Sequence, residues 1–337
     1  MRLGGIAAMG DFWRVVREFN PEGIEREATA PVDLAIVGLP GSGRRTIARA
    51  LFGSPADSES LGPFEIVDLD FAGNRWPQLE GSDLVVLVVR LDADLAEVSR
   101  KAAAAFGRAR TPVVLVFTHA DVVHNNRETR NAAYRAFSFV SHLKTLFLNG
   151  TDSVEVQEKL APLLVETLPD HRTALARRVP ALRQLVAEQI ISETCRVNAQ
   201  FALAANLPAN LPFLGSVAGS VADFFVLTKN QVMMVFRLAA IYGRDIAPTL
   251  QVAAEIAPVI GGGLLWRSAA RLAVGLLPTF VAAAPKMGIA YVGTYAAGQA
   301  ARYYYDQGQQ PTRELIDAFS AEGSRLFRLI RGVDSRQ

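Results

Sequence analysis

The chain has 337 residues, enough for two domains with separate cores, and 50% of them are hydrophobic. Its 35 Lys and Arg against 33 Asp and Glu leave a formal net charge of +2, which makes no bulk electrostatic case for a nucleic-acid partner. The single cysteine, Cys195, excludes an intrachain disulfide, suits a reducing compartment and reads as a small apolar helix residue rather than a nucleophile.

The short start 1–8, followed by the charged stretch 11–27, predicts no signal peptide. Phe12, Val15, Val16 and Phe19 recur at spacings of three and four, which predicts a helix whose apolar face docks on a neighbouring domain. Pro31 introduces the apolar run 32–37, a predicted strand, and straight after it comes Gly38-Leu39-Pro40-Gly41-Ser42-Gly43-Arg44-Arg45-Thr46.

That stretch has the spacing of a phosphate loop, G-x-x-x-x-G-K-[ST], through Gly38 and Gly43, but Arg44 stands in the lysine slot and Arg45 in the hydroxyl slot. Glycines let main-chain N–H groups turn toward a phosphate, and the helix that follows adds its positive end, so this part of an anion site survives side-chain change. Arg44 keeps the charge on a longer, planar group. Arg45 carries donors only and cannot ligate Mg²⁺; Thr46 could do so if the loop were shifted by one residue. The plainer alternative is a glycine-rich strand-to-helix turn with no ligand.

Downstream, 64–69 reads as a strand that delivers Asp70-Phe71-Ala72-Gly73, a D-x-x-G match where Asp70 would hold Mg²⁺ through water. The apolar run 84–89 predicts the next strand, 94–106 a helix, and 112–117 a further strand ending at Thr118-His119-Ala120-Asp121. There Asp121 fits the base-reading aspartate of N-K-x-D, with Thr118 and His119 in the Asn and Lys slots; a helix cap or turn role for Asp121 is the alternative. Strands alternating with helices predict an α/β fold with a mostly parallel sheet.

The second half changes character. From 171 to 198 the pattern is helical, with Leu175, Val179, Leu182, Leu185, Val186 and Ile190 near one side, and Pro180 is expected to start or bend a helix. Residues 199–222 contain no charge but are broken by Pro208 and Pro212; residues 272–301 carry only Lys286 and contain Pro278 and Pro285; a shorter apolar piece, 256–266, holds three consecutive glycines. A simple membrane-spanning helix needs about 20 apolar residues, so these are broken candidates. Gly288, Gly293, Ala296, Ala297 and Gly298 allow close helix contacts either in lipid or in a dense bundle. Either these regions form an all-α core, or they enter the membrane with Trp266, Tyr291, Tyr295 and Tyr303-Tyr304-Tyr305 near the interface and Arg267, Arg271 and Arg302 on the cytoplasmic side. Asp223, Lys229 and Gln231 are expected to make buried structural hydrogen bonds.

Residues 31–168 resemble the Era-like branch of the small GTPases, through Gly38 to Thr46, Asp70 to Gly73 and Thr118 to Asp121, with Asn149-Gly150-Thr151-Asp152 near where such domains place their last base-contacting loop. The resemblance implies a P-loop NTPase-type doubly wound sheet that binds GTP or GDP. It implies nucleotide contacts at Gly38, Gly41, Ser42, Gly43, Arg44, Arg45, Thr46, Asp70, Gly73, Thr118, His119 and Asp121, with Thr46 and Asp70 as the positions for Mg²⁺. The family's switch threonine is missing, since none occurs between Thr46 and Thr111, and Asn74 stands in the water-positioning slot. Phosphoryl transfer depends on such positioning and charge neutralisation, which points to a catalytically impaired guanine-nucleotide binder. An active hydrolase using Thr46 and a nucleotide-free scaffold are the alternatives.

From about 180 to 305 the chain looks like the YcjF-like domain of unknown function, a helical, membrane-associated bacterial module. The likeness lies in Leu207-Pro208, Pro212-Phe213-Leu214-Gly215, Asp223, Thr228-Lys229-Asn230-Gln231, Ile241-Tyr242-Gly243 and Gly293-Thr294-Tyr295-Ala296-Ala297-Gly298. It implies an all-α domain with membrane lipid as a partner and a place on the cytoplasmic face of the inner membrane, with a cytoplasmic protein as the alternative. The expected division is an N-terminal helix over 1–30, a GTPase-like domain over 31–168 and a helical domain over 169–337, with no nucleic-acid partner.

Overall fold

A computed structural model describes residues 13–54, 62–70, 81–106, 111–121, 126–204, 220–258 and 279–330. Two compact units divide the chain: Glu27–Val186 is one, and Met1–Arg26 with Ala187–Gln337 is the other.

The first unit is an α/β layer structure. After α1 (Glu22–Thr29), which crosses its boundary, come β1 (Leu34–Gly38), α2 (Arg44–Phe52), β2 (Phe64–Asp68), β3 (Leu84–Arg90), α3 (Leu95–Phe106), β4 (Val113–Thr118), α4 (Arg127–Ala136), β5 (Thr145–Phe147), α5 (Ser153–Thr167) and α6 (Arg172–Arg178). The strands form one sheet in the order β2-β1-β3-β4-β5, and every pairing is parallel. β1 is buried along its whole length and β3 everywhere but Arg90, as expected of central parallel strands covered on both faces. Ala35, Val37, Val85, Leu87, Val89, Leu115 and Phe117 share one core with Val98, Ala102 and Phe106 of α3, with Ala133 of α4 and with Phe137 at its end. The alternate residues Leu34, Ile36, Val86, Val88, Val114 and Val116 are buried too. α2 and α5 pack together, and Gln157 Nε2 donates to the Ala50 carbonyl at 2.7 Å.

Chain order and space diverge at β1: β2 lies on one side of it, while β3, β4 and β5 follow on the other. Such a reversal opens a crevice at the carboxyl ends of the strands, where open parallel sheets bind ligands. The register aligns those ends, with Gly38 opposite Asp68 and Val88, and Arg90 opposite Thr118.

The sheet unit extends past residue 168, the expected domain end. Within the unit, Thr173 Oγ1 donates to Glu27 Oε1 at 2.5 Å and Arg178 Nη1 to the Val32 carbonyl at 2.8 Å, which ties α6 to the entry of β1. Pro180 acts as expected: α6 stops at Val179, and a short turn Pro180–Leu182 leads into α7 (Arg183–Ala204).

The second unit is helical, built on most of α7, α8 (Ser220–Ile241), α9 (Thr279–Gln307) and α10 (Arg313–Ile330). Residues 13–18 are helical; Val15 and Val16 are buried, and the Phe19 ring lies 4.8 Å from that of Phe236 in α8. Phe12 lies outside the described residues. Small residues permit the close packing that the sequence implied: a Cβ on Gly298 would stand 2.7 Å from Ile191 Cγ1 and 3.1 Å from Met234 Sδ. A buried polar chain crosses the bundle, in which Asn198 Nδ2 and Gln231 Nε2 donate to Thr294 Oγ1 at 2.9 and 3.1 Å and Asn230 Nδ2 donates to Asn198 Oδ1 at 2.8 Å.

Gln231 therefore has its expected buried bond, whereas Lys229 is exposed and the Asp223 side chain is outside the description. Tyr291 and Tyr295, expected near an interface in the membrane alternative, are buried within the helical unit, Tyr291 against Phe327 of α10 at 5.5 Å between ring centroids. Trp266, Arg267, Arg271, Pro208, Pro212 and Pro278 lie outside the described residues. Among the described residues no helix is long and apolar enough to cross a membrane.

Candidate functional site

β1 ends at Gly38, and only glycine fits there: a Cβ would stand 2.3 Å from the Val88 carbonyl oxygen and 2.6 Å from Ser42 Oγ. The chain then turns, with Ser42 N donating to the Leu39 carbonyl at 3.1 Å, and passes through Gly41 (φ 76°) and Gly43 (φ 95°), both in the left-handed region that favours glycine. Gly43 caps α2 with no side-chain acceptor, and the first turn holds Arg44 and Arg45 but no acidic residue. A helix start normally gains from negative charge, and here neither a side-chain cap nor an acidic residue of the first turn offsets the positive end of the helix. That arrangement suits an anion.

Thr118, at the end of β4, joins three loops. Its hydroxyl donates to the Ser42 carbonyl at 2.9 Å, and its methyl lies 3.6 Å from where a Cβ on Gly43 would be and 3.2 Å from where one on Gly150 would be. The loops 38–46, 118–121 and 149–152 thus converge over the carboxyl edge of the sheet. His119 follows at φ 61°, a left-handed conformation uncommon outside glycine, with Nδ1 3.1 Å from Thr118 Oγ1. Asp121 is exposed beyond it.

The loop after β5 is fixed by its own hydrogen bonds. Asn149 Oδ1 accepts from Thr151 N at 3.0 Å, Asn149 N donates to Glu155 Oε2 at 2.8 Å, and Asp152 caps α5 by accepting from Val154 N and Glu155 N. Burial pushes the Glu155 carboxyl up, but the Lys159 ammonium and the Asn149 N–H outweigh it and hold it below its ordinary value.

Other expected contacts are used differently. Arg44 turns to β2: Nη1 donates to the Val67 carbonyl at 2.6 Å, and Nη2 lies 3.7 Å from Asp68 Oδ2, with the side chain 15% exposed. Its length lets the guanidinium reach the neighbouring strand end, which a lysine slot read from spacing does not reveal. Asp70 receives Lys101 Nζ at 2.6 Å, and the same ammonium lies 3.0 Å from Glu97. A side-chain cation therefore stands beside the carboxylate expected to serve Mg²⁺. The hydrogen bonds that Lys101 donates to Asp70 and then Glu97 raise its pKa, so the ammonium stays charged. α2 starts at Arg44 and its first helical bond runs from Ile47 N to the Gly43 carbonyl, so Thr46 is the third helical residue and the loop is not shifted by one. Gly73 and Asn74 lie outside the described residues. Among the described residues no group of three His, Cys, Asp or Glu side chains is placed to hold a metal. Among the described residues, the side chains around the turn do not form a magnesium site.

Sequence reasoning missed Arg90, the last residue of β3. Its Nε and Nη2 donate to Asp92 Oδ1 and Oδ2 at 2.9 and 2.6 Å, a bidentate pair that holds the Asp92 carboxyl below its usual range. A cavity of about 210 Å³ opens beside it, lined by Leu39, Pro40, Ser42, Val89, Arg90 and Asp92 among others. No motif marks Arg90; its only signal is a basic residue ending an apolar strand.

A scan against protein-family models finds no match to the sequence, and a search of curated proteins finds none either.

Proposed function

We propose that the chain is a GTPase-related protein that binds a guanine nucleotide on the loops at the carboxyl edge of its parallel sheet and does not turn it over. One observation carries the reading: at the strand-order reversal, a helix start with no side-chain cap lies beside two loops that meet it at Thr118. The all-parallel sheet around such a turn supports a P-loop NTPase-type domain. Phosphates would rest on the main chain of residues 39–46, and the base would lie over His119, Asp121 and residues 149–151.

Hydrolysis needs a placed water and compensation of charge on the transferring phosphoryl group. Arg44 is engaged with β2 and Asp70 with Lys101, which argues against turnover. The helical unit would attach the protein to a membrane through its apolar stretches, a reading supported by the uncharged composition of 199–222 and the near-uncharged 272–301. Retention in the membrane fraction through carbonate and release by detergent would support attachment; a wholly soluble protein would contradict it.

A fluorescent GDP analogue tests the nucleotide reading. It should bind, be displaced by unlabelled GDP and GTP but not by ADP, and GTP should release no phosphate over hours. Sustained release abolished by Thr46→Ala would establish a hydrolase instead. The same ion pairs of Arg44 and Lys101 also favour a second reading, a scaffold without nucleotide, for which the analogue would not bind at all.

A further inference from the structure

We infer that the anion on the phosphate loop is clamped from the β3 side by the guanidinium of Arg90, with the Ser42 hydroxyl as a second donor. Arg90 thereby takes the role that the loop pattern gives to its lysine slot. The inference rests on the nucleotide reading above and names the residue that meets the phosphates.

Arg90 is brought to the site by register. It lies opposite Thr118 at the carboxyl end of β3, next to β1 and so at the reversal of strand order. Its carboxylate partner uses Nε and Nη2, which fixes the guanidinium plane and leaves Nη1 free to face the loop. Nη1 lies 3.8 Å from the position a Cβ on Gly41 would occupy, at the tip of the turn. A planar guanidinium held on one edge and open on the other recognises a phosphate oxygen directionally, which a mobile ammonium does not.

Ser42 supplies an independent observation. It lines the same cavity and is 2% exposed, yet its Oγ has no hydrogen-bond partner. Buried hydroxyls in folded proteins are nearly always satisfied, and a ligand oxygen in the cavity would satisfy this one. At about 210 Å³ the cavity is smaller than the roughly 300–1,000 Å³ of pockets that enclose whole ligands, and apart from Ser42, Arg90 and Asp92 its lining is apolar. The residue in the lysine slot is engaged elsewhere, since Arg44 donates to the Val67 carbonyl.

The test titrates the full chain and its Arg90→Gln, Arg90→Lys and Arg44→Gln variants with GDP, inorganic pyrophosphate and guanosine, with thermal melting as the fold control. Arg90 is 42% exposed on its side chain and Asp92 33%, so the replacements leave no buried charge behind. Arg90→Gln should weaken GDP and pyrophosphate about tenfold or more, with guanosine unchanged and Arg90→Lys in between. Arg44→Gln should change GDP affinity less than about threefold. If the wild type binds GDP and Arg90→Gln binds it equally well, the clamp is wrong and the nucleotide reading stands. Equal loss of guanosine would assign Arg90 a merely structural part and also overturn the clamp. If the wild type binds neither GDP nor pyrophosphate, both readings fall.

Discussion

The Thr118 hydroxyl donates to the carbonyl oxygen of Ser42 at 2.9 Å, across 76 residues of sequence, and so fastens the glycine-rich turn after β1 to the end of β4. Both residues are buried, at 1% and 2% exposure. Thr118→Val keeps the shape but leaves that carbonyl without its donor, at a cost of about 1–3 kcal/mol. Urea unfolding should show this loss, and GDP affinity should fall with it as the loop loosens. Thr118→Ser should restore both; a Val variant as stable as the wild type would remove Thr118 from its bridging role.

The Asp70–Lys101 pair gives a prediction about metal. With an ammonium beside the carboxylate, GDP affinity should be the same within about twofold in EDTA and in millimolar Mg²⁺. Lys101→Ala frees Asp70 and should introduce a magnesium dependence. A strong loss of wild-type affinity in EDTA would show that the pair opens to admit the ion.

In the helical unit, Thr294 Oγ1 accepts from two buried amides, those of Asn198 and Gln231. Thr294→Val strands both donors and should destabilise the unit by about 2–5 kcal/mol in denaturant. Thr294→Ser should recover most of it. A double-mutant cycle with Asn198→Ala should show coupling, because the second change removes a donor that the first has already orphaned.

Glu155 sets a pH limit on the loop after β5. Its folded pKa is held below the ordinary 4.5, so the stability it confers is present above that value and is lost as pH falls through the depressed one. Protection of the Asn149 amide against hydrogen exchange should be flat above pH 4.5 and drop below it. Glu155→Gln should lower protection at neutral pH and abolish the acid step.

Much of the sheet was legible because its strands are continuous apolar runs bounded by turn residues: 32–37, 84–89 and 112–117 predict β1, β3 and β4 to within one or two positions. β5 was not, since Thr145–Phe147 is too short to carry a period. Gly38 and Gly43 announce the turn by spacing alone, and the structure adds why Gly38 must be glycine. Side-chain direction was not legible. Arg44 reads as a phosphate ligand until β2 brings the Val67 carbonyl and Asp68 alongside, and Asp70 reads as a metal position until α3 delivers Lys101 from 31 residues away. Arg90 belongs to no pattern and gains meaning only when parallel pairing sets it beside the loop.

Calorimetric titration of the full chain with GDP, with ADP as the control, tests the central claim most directly. Saturable heat from GDP, unchanged by EDTA and absent with ADP, is the result expected if the turn after β1 holds the phosphates, the loops 118–121 and 149–151 read guanine, and no metal is needed. No heat at millimolar GDP would contradict it.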